Sequence, residues 1–269
     1  MIKSYIRKIL PRWIQRILRP ISGRVKRLFI YNPYDSSAYW IMRASESSET
    51  AVLWNNVEYN HLFRRIQYNL LYPYIKCLQY GSRVLDIGCG IAVVTEMMLT
   101  MNPNILIDSV DFPEMIAKAK SQVKSERVRF IPCSAESYLI DSESYDLILS
   151  SACYSSIRDI QKLKKALSNG AIMLKPGGRM LMIDPFHRCN YLARAKYGPH
   201  DVVQFVKRYN INLENKSGCL FWPFREWLAN SRYTGAQLAN RFSLGERLLS
   251  IFGKHFWADY KILIFRKQQ

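Results

Sequence analysis

With 269 residues, 49% hydrophobic and 22% charged, the chain can bury a full core without disulfide staples and is neither disordered nor fibrous in composition. No apolar run reaches membrane-span length, and its six cysteines (77, 89, 133, 153, 189 and 219) and four histidines are scattered, with no CxxC pair. That pattern argues against a zinc site or disulfide framework and for a reducing, cytoplasmic setting.

The net charge of +18 is uneven: residues 1–30 carry nine Lys or Arg and no acid. Within them, residues 2–19 predict an amphipathic helix, with Ile2, Ile6, Ile9, Trp13 and Ile17 on one side, a kink at Pro11 and a stop at Pro20. A basic helix with Trp, Ile and Leu on one face suits an anionic membrane interface. The alternatives are a helix packed on the domain or a partner, or a transit peptide, although Ser is sparse. Residues 31–80 form a second unit, turn-rich and aromatic at first and helical over 49–80.

From residue 83 the chain alternates short apolar runs with helical segments. RVLDI, NILIDSVD, RVRFIP, YDLILSS and GRMLMID read as strands, the last after the turn Pro176-Gly177-Gly178. IAVVTEMMLT, PEMIAKAKSQVK and SIRDIQKLKKALSNG read as helices, with Pro113 opening the second and Gly170 closing the third. Such alternation predicts a doubly wound, mostly parallel sheet. The α/β core is placed at 81–185 and an aromatic-rich cap or insertion at 186–233; 234–269 is a helix followed by a strand pair joined near Ala258-Asp259.

The densest chemical signal is Val84-Leu85-Asp86-Ile87-Gly88-Cys89-Gly90-Ile91-Ala92, an apolar strand ending in an acid, a glycine turn and a helix. Glycine admits close approach of backbone to a ligand. A dinucleotide fingerprint would need a small residue at 93, where Val93 stands, so a nicotinamide dinucleotide is disfavoured. Asp111 ends the next strand, 21 residues after Gly90, where a carboxylate can accept both ribose hydroxyls.

These residues, with SVDFPEMIAKAK, YDLILSS and LKPGGRMLMID in that order, resemble the class I S-adenosylmethionine (SAM)-dependent methyltransferase family over about 82–185, plus a terminal strand pair at about 250–267. The resemblance implies a seven-stranded, mostly parallel doubly wound sheet and SAM as the cofactor. It implies that Asp86, Gly88, Cys89 and Gly90 hold the methionine moiety, that Asp111 holds the ribose and that Phe112 flanks the adenine. Ser134, Ala135 and Glu136 follow the third strand; where the family usually has an acid this chain has Ser134, with Glu136 two residues on. Ser150 and Ser151 are expected near the sulfonium, and no metal is implied.

SAM carries its own leaving group, so the protein mainly positions the acceptor. If a base is used, His187, just after the fifth strand, is the candidate; its other reading is an ordinary loop histidine. Tyr154 and Tyr191 are candidate lining residues of the acceptor pocket. No Asn/Asp-Pro-Pro-Tyr/Phe follows the fourth strand, which argues against methylation of adenine or glutamine amides. The aromatic 186–233 stretch favours a small hydrophobic or lipid-like acceptor, methylated on oxygen or nitrogen, with residues 1–19 on a membrane surface. RNA or protein methylation and a non-catalytic SAM-binding scaffold rank behind it, and DNA is not expected as a partner.

Overall fold

Near-continuous apolar runs have to be covered on both faces, and the central strands here are. The structure, a computed structural model, describes residues 37–46, 49–157, 159–186 and 197–269. The amphipathic helix expected over 2–19, His187 and Tyr191 lie outside the described residues.

Among the described residues, seven strands form one sheet in the order β3-β2-β1-β4-β5-β7-β6. They are β1 (Arg83–Ile87), β2 (Leu106–Asp111), β3 (Val128–Pro132), β4 (Tyr145–Ser151), β5 (Leu174–Asp184), β6 (Ile211–Phe221) and β7 (Ala258–Lys267). The first five pair in parallel, whereas β7 runs antiparallel to both β5 and β6. The helices are α1 (Ser37–Ala44), α2 (Val57–Lys76), α3 (Val93–Met101), α4 (Pro113–Gln122), α5 (Ile160–Met173), α6 (Pro199–Lys207), α7 (Trp222–Leu228), α8 (Gly235–Phe252) and α9 (Lys254–Trp257).

Successive side chains along a strand point to opposite faces, which divides the core in two. Leu147, Leu149, Leu181, Ile183, Ile262 and Ile264 face a layer built by α2, α3, α7 and α8. Ile148, Met180, Met182, Leu263 and Phe265 face the other layer, with Leu163 and Leu167 of α5 and Val202 and Val206 of α6. Helix α2 starts where Asn56 accepts a hydrogen bond from the Tyr59 amide, and the Asn56 Nδ2 donates to the carbonyls of Ser231 and Tyr233. That one side chain caps a helix and fastens it to the loop before α8.

The structure corrects three expectations. The last segment is one strand rather than a strand pair: residues 254–257 are helical and β7 begins at Ala258. Its antiparallel partner, β6, comes from the 186–233 stretch expected as a cap, because Leu220, Phe221 and Cys219 there are core rather than lid. Gly170 does not close α5, which continues to Met173; a Cβ on it would sit 3.0 Å from the Tyr154 hydroxyl, so the glycine makes room for a buried ring. The expected Pro176-Gly177 turn exists, but inside β5, where the register jumps from Tyr145↔Leu174 to Leu147↔Arg179.

One ionic group lies deep in this frame. The Arg225 guanidinium of α7 pairs with Asp259 of β7 (Nε–Oδ2 2.6 Å) and with Glu226 (2.9 Å), and both Arg225 and Asp259 are buried. Removing one partner strands the other charge in the interior. Arg225→Ala is therefore expected to lower unfolding free energy by about 3–5 kcal/mol, read from urea titration against wild type.

Candidate functional site

In an open α/β sheet, ligands bind beyond the carboxyl ends of the strands, at the point where strand order reverses. Here β1 lies between β2 and β4, and the loops after these strands enclose a cleft of about 470 Å³. That volume lies within the range of small-molecule sites.

The turn after β1 forms its centre. Gly88 and Gly90 take φ of +73° and +57°, and Ala92, the residue capping α3, takes +66°. A Cβ on Gly88 would lie 2.3 Å from the Cys153 Cβ, so the turn and the loop after β4 meet with no space to spare. Asp111, at the end of β2, holds the turn: its Oδ2 accepts from the Gly90 amide at 2.7 Å and its Oδ1 from the Phe112 amide at 2.7 Å. Each oxygen keeps a lone pair for a further donor. Asp86 accepts from the Thr95 hydroxyl at 2.7 Å.

Of the residues expected to hold SAM, Asp86, Gly88, Cys89, Gly90, Asp111, Phe112, Ser134, Ala135, Glu136 and Ser151 all line the cleft. Ser150 does not. It is fully buried and donates to Asp184 (3.0 Å), because the strand pleat turns it away from its neighbour Ser151. Tyr154 does not line the cleft either: it is fully buried in the core beside α5, with its ring over Gly170. The loop from Ala152 to Ile157 is shaped by other side chains. Asp184 accepts from the Ser155 amide and hydroxyl at 3.0 and 2.9 Å, and the Tyr197 hydroxyl donates to the Ile157 carbonyl.

Sequence reasoning missed the cleft's other wall. Arg64 of α2, Trp40 of α1, and Val52 and Leu53 between them line it, as do Asp159 and Lys162 opposite. Arg64 Nη1 donates to Gln67 Oε1 (2.9 Å), and Gln67 Nε2 donates to Ser151 Oγ (2.7 Å). Gln67 is fully buried. A guanidinium and an amide at i and i+3 on the same helix flank as Phe63 and Leu71 were the available signal, but long polar side chains beside an apolar stripe usually reach solvent. Across the mouth, Lys162 meets Glu136 at 3.6 Å. His255 is remote from the cleft, its Nδ1 3.2 Å from the Ser217 carbonyl of β6.

Three carboxyls here are raised to about 6, all through burial: Asp86, Asp111 and Asp184. Hydrogen bonds from Thr95, from the Gly90 and Phe112 amides, and from Ser155 offset part of the effect. Chemically, the cleft offers a guanidinium and a carboxylate side by side, a second carboxylate with spare acceptors beside Phe112, and a glycine turn between them. This set is complementary to a molecule bearing an α-amino acid at one end and a ribose with a flat base at the other.

Residues 84–178 match the family model described as a methyltransferase domain. Over 97 residues the chain is 37% identical to the malonyl-[acyl-carrier protein] O-methyltransferase of Bacillus cytotoxicus, which covers 34% of each chain. It is 26% identical over 129 residues to the ubiquinone biosynthesis O-methyltransferase of Sinorhizobium medicae, covering 48% of this chain and 51% of that one. The chain thus matches about a third to a half of the length of these relatives. Its fold is that of the N-methyltransferase NodS from Bradyrhizobium japonicum WM9, solved with S-adenosyl-L-homocysteine: TM-score 0.60 at 15% identity, over 89% of this chain and 100% of that one.

Two outcomes are expected. Gly88→Ala forces a methyl into the Cys153 side chain at a positive φ, so it should lower the melting temperature by an amount equivalent to about 1–3 kcal/mol, read by calorimetry. The second concerns pH. A carboxyl whose folded value is about 6 against an ordinary 3.8 keeps its proton in the fold after the unfolded chain has lost it. Its contribution to stability is complete below the ordinary value and is lost as pH rises through about 6. The ligand-free protein should therefore melt lower at neutral pH than in mild acid, and Asp86→Asn should flatten that slope.

Proposed function

We propose that the chain, whose residues 84–178 match the methyltransferase-domain model, transfers a methyl group from SAM to oxygen or nitrogen of a small hydrophobic or lipid-like acceptor. The observation that carries this reading is the conjunction of Arg64, Asp86 and Asp111 around the glycine turn in one cleft. SAM, when bound, supplies an electrophilic methyl on a positively charged sulfur.

The chain's own residues do the rest. Asp86 takes the α-ammonium of the cofactor and Arg64 its carboxylate, with Gln67 holding the guanidinium from behind. Asp111 takes the ribose hydroxyls, having its own geometry fixed by two backbone amides. Phe112 and Ala135 bracket the base, and Glu136 stands at the mouth in ion pair with Lys162. Ser151, Cys153, Ser156 and Ile157 line the acceptor side, and Trp40 and Val52 close over the cleft and exclude water. Most of the rate gain then comes from holding the acceptor in line with the methyl.

Relatives named as O-methyltransferases and a neighbour named as an N-methyltransferase support transfer to a heteroatom rather than to carbon. The apolar lining of the acceptor side (Ile157, Cys153, Leu53) supports a hydrophobic acceptor. His187, directly after β5, is the proposed base if the acceptor needs one, Tyr191 a proposed neighbour, and residues 1–19 the proposed contact with the membrane that holds such a substrate.

Calorimetric titration with SAM tests the cofactor site. Arg64→Ala and Asp111→Ala should each weaken binding by roughly 10- to 150-fold, as expected for one hydrogen bond to a charged group. Below about pH 6 the affinity should fall, because protonated Asp86 and Asp111 lose their acceptor charge. Incubation with labelled SAM and a cell extract then tests the acceptor. Label in the organic-soluble fraction supports the proposal, and label confined to RNA or protein precipitates refutes the acceptor class.

A further inference from the structure

Among the described residues, five large exposed apolar side chains lie close together in sequence on α8 and α9. On α8, Leu244, Ile251 and Phe252 recur at i, i+7 and i+8 and are 50%, 75% and 58% exposed. In α9, Phe256 is 59% and Trp257 40% exposed. The rings run on as a ridge: Phe256 meets Trp257 edge-on (5.4 Å between centroids), and Phe221 lies against Trp257, Phe252 and Phe224 at 6.3, 6.2 and 5.8 Å. Exposed apolar patches of this kind mark a contact surface.

The exposed charges of α8 and α9 are basic. Between residues 241 and 257 the chain carries Arg241, Arg247 and Lys254 against a single acid, Glu246. Glu246 is turned inward, where it accepts from the Phe221 amide. Arg247 and Lys254 are exposed.

The sheet fixes where this corner points. Strand β7 is antiparallel to β5, with Lys261 opposite Asp184, so its first residue lies at the carboxyl edge of the parallel strands. Phe221, the last residue of β6, is paired with Ala258 and lies there too. The ridge therefore stands at the same sheet edge as the cleft, which is lined from the carboxyl ends of β1, β2 and β4.

We propose that the α8–α9 corner is a docking surface for an anionic lipid bilayer, with Ile251, Phe252, Phe256 and Trp257 entering the interface and Arg247 and Lys254 meeting the headgroups. Amphipathic Trp and Phe side chains rimmed by Lys and Arg are the chemistry of interfacial binding. A second copy of the chain is a poorer occupant, since two surfaces of like positive charge repel. This docking would bring the acceptor side of the cleft down to the membrane. It does not depend on the chemistry proposed above, because lipid binding and SAM binding are read separately.

The test uses the full chain and sedimentation with phosphatidylcholine vesicles, with and without phosphatidylglycerol. Wild type should partition to the anionic vesicles, and amide hydrogen exchange of peptides spanning 244–257 should slow when they are present. Ile251→Ser combined with Phe256→Ser should lower partition by about tenfold or more, from the apolar area withdrawn from the interface. Arg247→Glu combined with Lys254→Glu should remove the preference for phosphatidylglycerol. An unchanged melting temperature shows that the variants fold, and Ile251→Ser alone is the fallback if the pair does not. Wild-type partition in both double variants, or no slowing of exchange at 244–257, overturns the proposal. So does a concentration-dependent dimer that the Ile251→Ser, Phe256→Ser variant abolishes with no change on vesicles.

Discussion

The hydrogen bond from the Gly90 amide to the Asp111 carboxylate is where the architecture becomes a site. It spans the ends of two neighbouring parallel strands, β1 and β2, and is 2.7 Å long. Without it the turn after β1 would be a flexible glycine loop, free to sample many conformations at considerable entropic cost on ligand binding. With it, the turn is held at positive φ against Cys153, and the carboxylate that would meet a ribose is already oriented. The cost is a carboxyl taken out of water, visible in its rise to about 6. Strain and desolvation of this kind concentrate at functional positions.

The three buried carboxyls at the sheet edge serve different ends. Asp111 and Asp86 face the cleft with acceptor capacity left over, so their burial is relieved only when a ligand donates to them. Asp184 faces away from it and spends its oxygens on Ser150 and Ser155. It acts as a clasp for the loop after β4, the loop that carries Cys153 against Gly88. Removing cleft polarity would thus impair binding directly, whereas loosening Asp184 would act through the position of Cys153.

Much of this was legible in the sequence because it is written in local, period-two and period-3.6 patterns. The strand runs, the order of helices between them and the Asp86–Gly90–Asp111 constellation are short-range features, and all lie where expected. The errors came where distant segments decide. Nothing within 258–267 reveals that its pairing partner is the segment 211–221, about forty to fifty-five residues earlier, and an aromatic stretch such as Trp222–Trp227 reads the same whether it caps a pocket or flanks an edge strand. Ser150 and Ser151 are adjacent and chemically alike, and only the pleat separates a core residue from a cleft residue. Arg64 was invisible for a related reason: a basic residue on an amphipathic helix looks solvated until the sheet edge it faces is known.

Helix α2 also has a mechanical side. Its inward flank carries Arg64 and Gln67 toward the cleft, and a turn earlier Tyr59 and Phe63 sit in an aromatic nest with Trp54, Phe242 and Tyr260. Phe242 belongs to α8 and Tyr260 to β7, the elements that bear the exposed corner. A single rigid rod thus joins the two ends of the carboxyl edge. Were α2 to shift, a ligand gripping Arg64 and a contact pinning α8 would both act on that one helix. Any such coupling is reciprocal by thermodynamic necessity. Occupancy of the cleft and engagement of the corner would then be linked through one helix, with no separate signalling element.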